Sequence, residues 1–416
     1  MKVSETISVR IQSRLRRAAG SLAHRVARDS RGATIVLVAV SMVAIIATAA
    51  LAIDPARAYI LRAHLARAVD SGSLAGARAL RLGQSVADQR ARSIAAANDV
   101  VDGQNGVSLS VGFGINAQGE QTVAMTATQT MPTTLMSMLG PPDITVQSTA
   151  VAAVPPVDLI LTLDQSGSLG AANAWDDLQQ AAIIFKDNFD DALDQMGLVS
   201  FQIRGTDRFQ LAQPFSAAIE TEINNMQSNG DTNAGEGLRL ALQQMQNGPV
   251  RQRSVKVIVF FTDGRPTAMR GLFGGQDRMM AVYTTQQSGR MRGYFDNPDQ
   301  LPTDQVASPS GCQNFTSCFS VWTEPTIRAQ ARQNGIDEAD QIRAAGIYLY
   351  AIGLGNPNAG NPLLVPDMAY LQQLANENGQ SDPSQPQGKA YFAPTPAELD
   401  IVFQQVAADI LVRLAQ

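Results

Sequence analysis

Histidine and cysteine are nearly absent from this 416-residue sequence: His24 and His64 are its only imidazoles, Cys312 and Cys318 its only thiols. Neither histidine lies near the cysteines, which excludes a clustered zinc site. Scarce imidazole also removes the commonest general base. No Gly-x-Ser-x-Gly elbow and no Walker-type phosphate loop stands in its place. An enzyme is therefore not expected, and a metal-assisted hydrolase is the alternative the residues support least. Excess basic charge is missing too: the net charge is -5. It is unevenly spread, since residues 1–31 hold eight Lys/Arg against Glu5 and Asp29, a local +6 that leaves -11 for the remainder. A basic head on an acidic body suits a cytoplasmic flank beside anionic lipid and argues against nucleic-acid binding.

Charge is lacking altogether from Ala33 to Ile53, ATIVLVAVSMVAIIATAALAI. Twenty-one uncharged residues match the apolar thickness of a bilayer as one helix. Basic residues precede the run and Asp54-Pro55 follows it, so the N-terminus is expected in the cytoplasm and the rest across the membrane. The small residues at 47–52 also suit a cleaved signal, but the run is longer than the usual signal core. A single-pass anchor is the better expectation. Beyond Pro55, Leu61, Leu65, Ala68, Gly72, Ala75, Ala79 and Leu82 fall on one helical stripe. Its small residues would admit another helix closely, though a plain surface helix fits as well. The stretches VSLSVGFGI and QTVAMTATQT, parted by Asn116–Gly119, and Ile144–Val151 read as strands of a small α+β unit ending at Pro155-Pro156.

From Gly32 to Leu80 the sequence resembles the N-terminal segment of TadG-like proteins of Tad (Flp) pilus systems. The residues that carry the likeness are Gly32, Asp54, Asp70, Leu74, Ala75, Gly76, Ala77 and Leu80. The fifth residue after Gly32 is Leu37 where a processed pilin has Glu, so prepilin-type cleavage is doubtful. The resemblance implies a component of pilus assembly in the bacterial inner membrane, with a pilin-like α+β region over 54–155 after the basic segment 1–32 and the membrane helix 33–53.

After Pro156, strand and helix alternate. VDLILTL and SVKVIVFFT are apolar runs of the kind buried on both faces of a parallel sheet, and Gly346–Ile352 is a third. Helices are expected near 175–189, 235–246, 367–376 and 396–414. The fold class is α/β, an open Rossmann-like doubly wound sheet over 156–416. Ligands of such sheets sit at the carboxyl ends of strands. Asp164-Gln-Ser166-Gly-Ser168 follows VDLILTL there, Thr262-Asp263-Gly264 follows the second run, and Gly230-Asp231-Thr232 precedes a helix. One carboxylate and two hydroxyls at alternate positions are hard oxygen donors, which select magnesium, manganese or calcium over softer-ligand metals. Asp231 either adds a carboxylate to the cation or caps the following helix, and the cap is the preferred expectation.

These three segments resemble the metal-ion-dependent adhesion site of von Willebrand factor A (VWA) domains. The resemblance implies a divalent cation, magnesium first, held by Asp164, Ser166, Ser168, Thr232 and Asp263. It also implies an open coordination position that a Glu or Asp carboxylate of a protein partner fills. The function so implied is metal-dependent binding or scaffolding by an envelope protein. The alternative is a structural pilin-like subunit whose metal only stabilises the fold. Residues 265–325 form a long insertion rich in Gly, Gln, Met and Asn. It reads as a loop whose aromatics either line a partner-binding lip or pack on one another. Cys312 and Cys318 sit within it, close enough for a disulfide in an oxidising compartment.

Overall fold

A computed structural model describes residues 30–138, 142–282, 291–297, 299–301, 305–308, 310–312, 314–355 and 367–413. The basic segment before Ser30 and Tyr283 lie outside the described residues. The contacts divide the chain into two compact units, one of residues up to 113 with 123–152, the other of 114–122 with 153 onward.

In the first unit the uncharged run is part of a single 50-residue helix, α1 (Ser30–Ala79), with Pro55 inside it. Most apolar side chains of the run are exposed, Ile35 by 71% and Leu51 by 74%, and the helix is long and apolar enough to cross a membrane. The small-residue stripe further along receives α2 (Gln84–Ala97), whose Ala91 and Ala95 are buried with Leu65, Ala68 and Val69. Gly72 and Gly76 permit that approach, because a Cβ on either would stand 3.0–3.2 Å from α2 atoms. Leu82, at the end of the stripe, is 74% exposed. A three-stranded sheet of β1 (Val107–Ile115), β2 (Gln121–Pro132) and β3 (Asp143–Val154) completes the unit. Hydroxyl pairs Thr126–Thr149 and Thr130–Thr145 run in opposite senses, so β2 and β3 are antiparallel.

Asp54, the first charge after the apolar run, is completely covered. Its carboxylate accepts from the Thr134 amide (3.0 Å) and hydroxyl (2.7 Å), the Leu135 amide (3.0 Å) and the Met136 amide (2.8 Å). Arg57 stands 3.5 Å away. The donated amides of Met136 and Thr134 hold the carboxyl well below the usual carboxylate range.

The second unit is built on a six-stranded sheet in the order β12-β11-β7-β4-β5-β6. Its strands are β4 (Val157–Asp164), β5 (Gln195–Phe201), β6 (Gly205–Ala212), β7 (Val255–Thr262), β11 (Tyr348–Leu354) and β12 (Ala390–Ala393). Every neighbouring pair is parallel except β5–β6. Central β4 is buried at all eight positions, which explains its unbroken apolar run. Helices cover both faces. Ile160, Phe201, Ile258 and Phe260 face a core with α6 (Ala234–Asn247), α8 (Glu324–Ala344) and α9 (Met368–Ala375). On the other face Phe261 stacks on Phe403 of α10 (Leu399–Arg413), which meets Phe185 of α4 (Trp175–Lys186) edge-on, and α5 (Ser216–Asn225) packs beside α4. Strand β5, edge strand β6 and four-residue β12 are not evident from the sequence. Exposed β6 carries Asp207, Arg208 and Gln210 and looks like a loop.

The inserted stretch is not a bare loop. It contains a second sheet, β8 (Ala268–Phe273), β9 (Gln276–Val282) and β10 (Met291–Asp296), antiparallel throughout, and a short helix, α7 (Phe315–Val321). All six residues of β8 are buried, so the alternation that announces a half-buried strand is missing. Arg270, mid-strand, pairs with Asp277 and Glu236 instead of facing water. Cys312 and Cys318 are disulfide-bonded and lie in a cluster with Met269, Phe273, Met280 and Trp322. The aromatics largely serve that cluster: Tyr294 stacks on Phe273 at 4.7 Å and Phe319 meets it edge-on at 5.1 Å.

Candidate metal centre

Three loops meet at the carboxyl ends of β4 and β7. Asp164 is the last residue of β4 and has no exposed surface. One of its oxygens accepts from the Ser166 amide (2.8 Å), the other from the Thr262 hydroxyl (2.7 Å). Ser166 precedes the short α3 (Gly167–Ala171), so Ser168 lies on the helix's first turn. The hydroxyls of Ser166 and Ser168 are 3.0 Å apart. Both donate to one oxygen of Asp263, Ser168 at 2.8 Å and Ser166 at 3.4 Å. Asp164, Ser166, Ser168 and Asp263 thus form one connected group of oxygens.

The second loop is laced to the first. The Ser228 hydroxyl donates to the Ser166 carbonyl (2.7 Å), Asn229 N–H to the Gln165 carbonyl (2.8 Å) and Gly167 N–H to the Gly230 carbonyl (3.1 Å). Gly230 must be glycine here: its φ is +81°, and a Cβ would stand 2.0 Å from the Gln202 side-chain oxygen. Thr232 follows, buried, and its backbone is bonded to Thr267 and Ala268 rather than to the first loop. The cap of α6 is Asn233, whose side chain accepts from the Glu236 amide. The expected cap, Asp231, sits two residues too early and is buried.

Electrostatics separate this group from an ordinary polar cluster. Burial, first, and the neighbouring Asp263 charge push the Asp164 carboxyl above its usual range. Burial likewise raises Asp263, against the lowering effect of the Ser168 hydroxyl. Among the described residues neither carboxylate has an Arg or Lys in ion-pair contact. Arg208 comes near but gives its guanidinium to Gln165 and Ser200. A buried acid facing a half-buried one, with no counter-charge, is costly as an anion. A hard divalent cation supplies the missing charge, and the serine hydroxyls beside them are ligands of the right class. The donor set therefore fits the metal that the sequence suggested.

Sequence reasoning overlooked Thr262 and Thr267. Thr262 is the last residue of β7, and its position next to Asp263 was the available signal. Thr267 carried none, since its partner is 35 residues away.

Residues 158–287 match the family model of the von Willebrand factor type A domain, in agreement with this architecture. A search of curated proteins gives no match. Among solved structures, the chain is similar to the PilB minor pilin from Streptococcus sanguinis. The identity is 18% over 76% of this chain and 80% of that one, with a TM-score of 0.42. It is also similar to the vWF domain of the type V pili tip protein Mfa5 from Porphyromonas gingivalis (16% identity, 63% and 97% covered, TM-score 0.43). A third is proximal thread matrix protein 1 from the mussel byssus with a zinc-occupied MIDAS motif (15%, 61% and 48%, TM-score 0.38). The chain spans about half the length of that mussel protein. With its mixed central sheet flanked by helices, the second unit carries a von Willebrand factor type A domain.

Proposed function

We propose that this chain is a membrane-anchored, metal-dependent protein-binding component of the bacterial envelope, acting in pilus assembly of the Tad/Flp kind. The observation that carries the reading is the uncompensated pair of buried Asp164 and half-buried Asp263, with the hydroxyls of Ser166 and Ser168 beside them. Those residues, with Thr232 from the second loop, hold magnesium, with manganese or calcium as substitutes. The cation leaves one position for a Glu or Asp carboxylate of a protein partner. Such a bond is strong where water is excluded and specific for an acidic group. Helix α1 anchors the domain in the inner membrane, with the N-terminus cytoplasmic and the metal face outside. The TadG-like pattern from Gly32 to Leu80 supports the pilus setting. Both carboxylates are committed to the site and no imidazole adjoins them among the described residues, which supports binding rather than catalysis.

The test is capture of envelope proteins by the full chain in detergent, in magnesium and in chelator, with Asp164→Ala as control. A partner retained only by wild type with magnesium is the expected result. Equal capture under all three conditions would reject metal-dependent docking. Ser166→Ala addresses the alternative in which the metal only holds loops together. A docking role predicts a folded protein that fails to bind, whereas a staple role predicts loss of the fold.

A further inference from the structure

The inserted sheet does more than lengthen the domain, because its first strand is joined to the second metal loop in both directions. Thr267, which leads into β8, accepts the Thr232 amide on its hydroxyl at 3.0 Å. In return the Thr267 and Ala268 amides donate to the Thr232 carbonyl at 2.9 and 3.0 Å. Both polar groups of the Thr232 backbone are therefore satisfied by the insertion, at a buried position. The residues that follow are held as well. Asn233, which caps α6, donates its amide to the Met279 sulfur of β9 at 3.6 Å. Glu236, one turn into α6, takes the Arg270 guanidinium of β8 at 2.8 Å, and Arg270 also pairs with Asp277 of β9 at 3.2 Å. Asp277 in turn accepts the side-chain amide of Asn297 and the backbone amide of Leu301. The sheet grips the start of α6 at three successive points, and the first of them is a metal-loop residue.

We infer that β8 and β9 form a brace that fixes Thr232 in its cation-binding position, with Thr267 as the positioning residue. This rests on the metal reading above. Thr267 touches no cation itself; it acts by holding the Thr232 backbone. The Thr232 N–H is buried, so without the Thr267 hydroxyl it has to find another partner, and moving the loop is the way to find one. When only a fraction of the molecules keep Thr232 in place, apparent metal affinity falls by that fraction. The brace also links the insertion to the site. The hydrophobic cluster that includes the Cys312–Cys318 disulfide contains Met269 of β8 and Met280 of β9. Loosening that cluster therefore loosens the metal loop.

The experiment is manganese titration by electron paramagnetic resonance, on the full chain in detergent. Wild type, Thr267→Val, Thr267→Ser and Asp164→Ala are compared, with amide exchange at residues 231–233 and melting in chelator followed in parallel. Valine keeps the shape and removes the acceptor. Its manganese dissociation constant is expected to rise about tenfold, with faster exchange at 231–233, while the protein stays folded. Serine is expected to restore the wild-type value. Wild-type affinity in Thr267→Val would overturn the brace, and so would a lower melting temperature with unchanged affinity, since that is the mark of a purely structural threonine. Failure of wild type itself to bind manganese, or equal binding by Asp164→Ala, would strike the metal reading instead, so the two failures are told apart.

Discussion

Asp54 and Asp164 are both fully buried, and the chain treats them in opposite ways. Asp54 receives four donors from residues 134–136 and is held below the usual carboxylate range. Asp164 receives two, faces Asp263, and is raised, as Asp263 is. The first carboxylate is completed by the chain's own amides and works as a pin between α1 and the turn after β2. The second pair is left incomplete, with hydroxyl oxygens arranged beside it. A buried charge at the edge of an apolar helix is by default a functional suspect. Here its hydrogen bonding marks Asp54 as structural, and the missing counter-charge supports Asp164 and Asp263 as the proposed ligand site.

The sharpest way to break this contrast is substitution at the pin. Asp54→Ala removes the acceptor of three backbone amides and should expose the 134–138 turn, with cleavage there by added protease rising ~100-fold, in line with release of a locally stable segment. Manganese affinity should stay at the wild-type value; a parallel loss would show that the two sites are not independent in kind.

A smaller effect concerns pH. Folding raises the carboxyls of Asp164 and Asp263, so in chelator the folded state holds protons that the unfolded chain has already released. Their contribution to stability is fully present below the unfolded carboxylate range and is lost as pH climbs from there toward neutrality. Asp54 has the opposite sign: its contribution is present above the unfolded range and lost as pH falls below it. Metal must displace the protons, so apparent magnesium affinity should strengthen about tenfold between pH ~5.5 and ~7.5. Titration calorimetry at several pH values checks this, and a flat profile would contradict the raised pair.

Smaller again is the effect of neutralising one partner. Asp164→Asn should raise the chelated melting temperature by about 2–6 °C, equivalent to ~1–2 kcal/mol, because a buried charge no longer faces that of Asp263. In the same measurement Asp54→Asn should lower it. Least of all, Phe319→Ala, at a half-exposed ring resting edge-on against Phe273, should cost about 1 kcal/mol and leave partner capture unchanged. A lost partner in that variant would give the aromatic insertion a direct role in binding.

Legibility in the sequence follows the same division. Asp164, Ser166, Ser168 and Asp263 stand directly after apolar strand runs, where a short motif and its strand context can be read together. The small-residue stripe of α1 was visible for the same reason, since helical spacing alone reveals it, but that its partner is α2 was not. What the linear chain hides is pairing at a distance. Asp54 bonds residues 80 positions away, and Thr232 owes its placement to Thr267. The strands of the insertion escaped because β8 is buried on both faces and carries a charge, Arg270, that is neutralised by residues from two other elements. Asn233 rather than Asp231 caps α6 because the chain enters the helix two residues later than its composition suggests.

The most direct test of the central claim is a count of bound cation on the full chain in detergent near neutral pH. Manganese binding, with magnesium as competitor, is compared between wild type and Asp263→Asn. One tightly bound ion is expected in wild type, displaced by magnesium, with an affinity at least ~100-fold weaker in the variant. No bound ion in wild type, or the same affinity in both proteins, would contradict it.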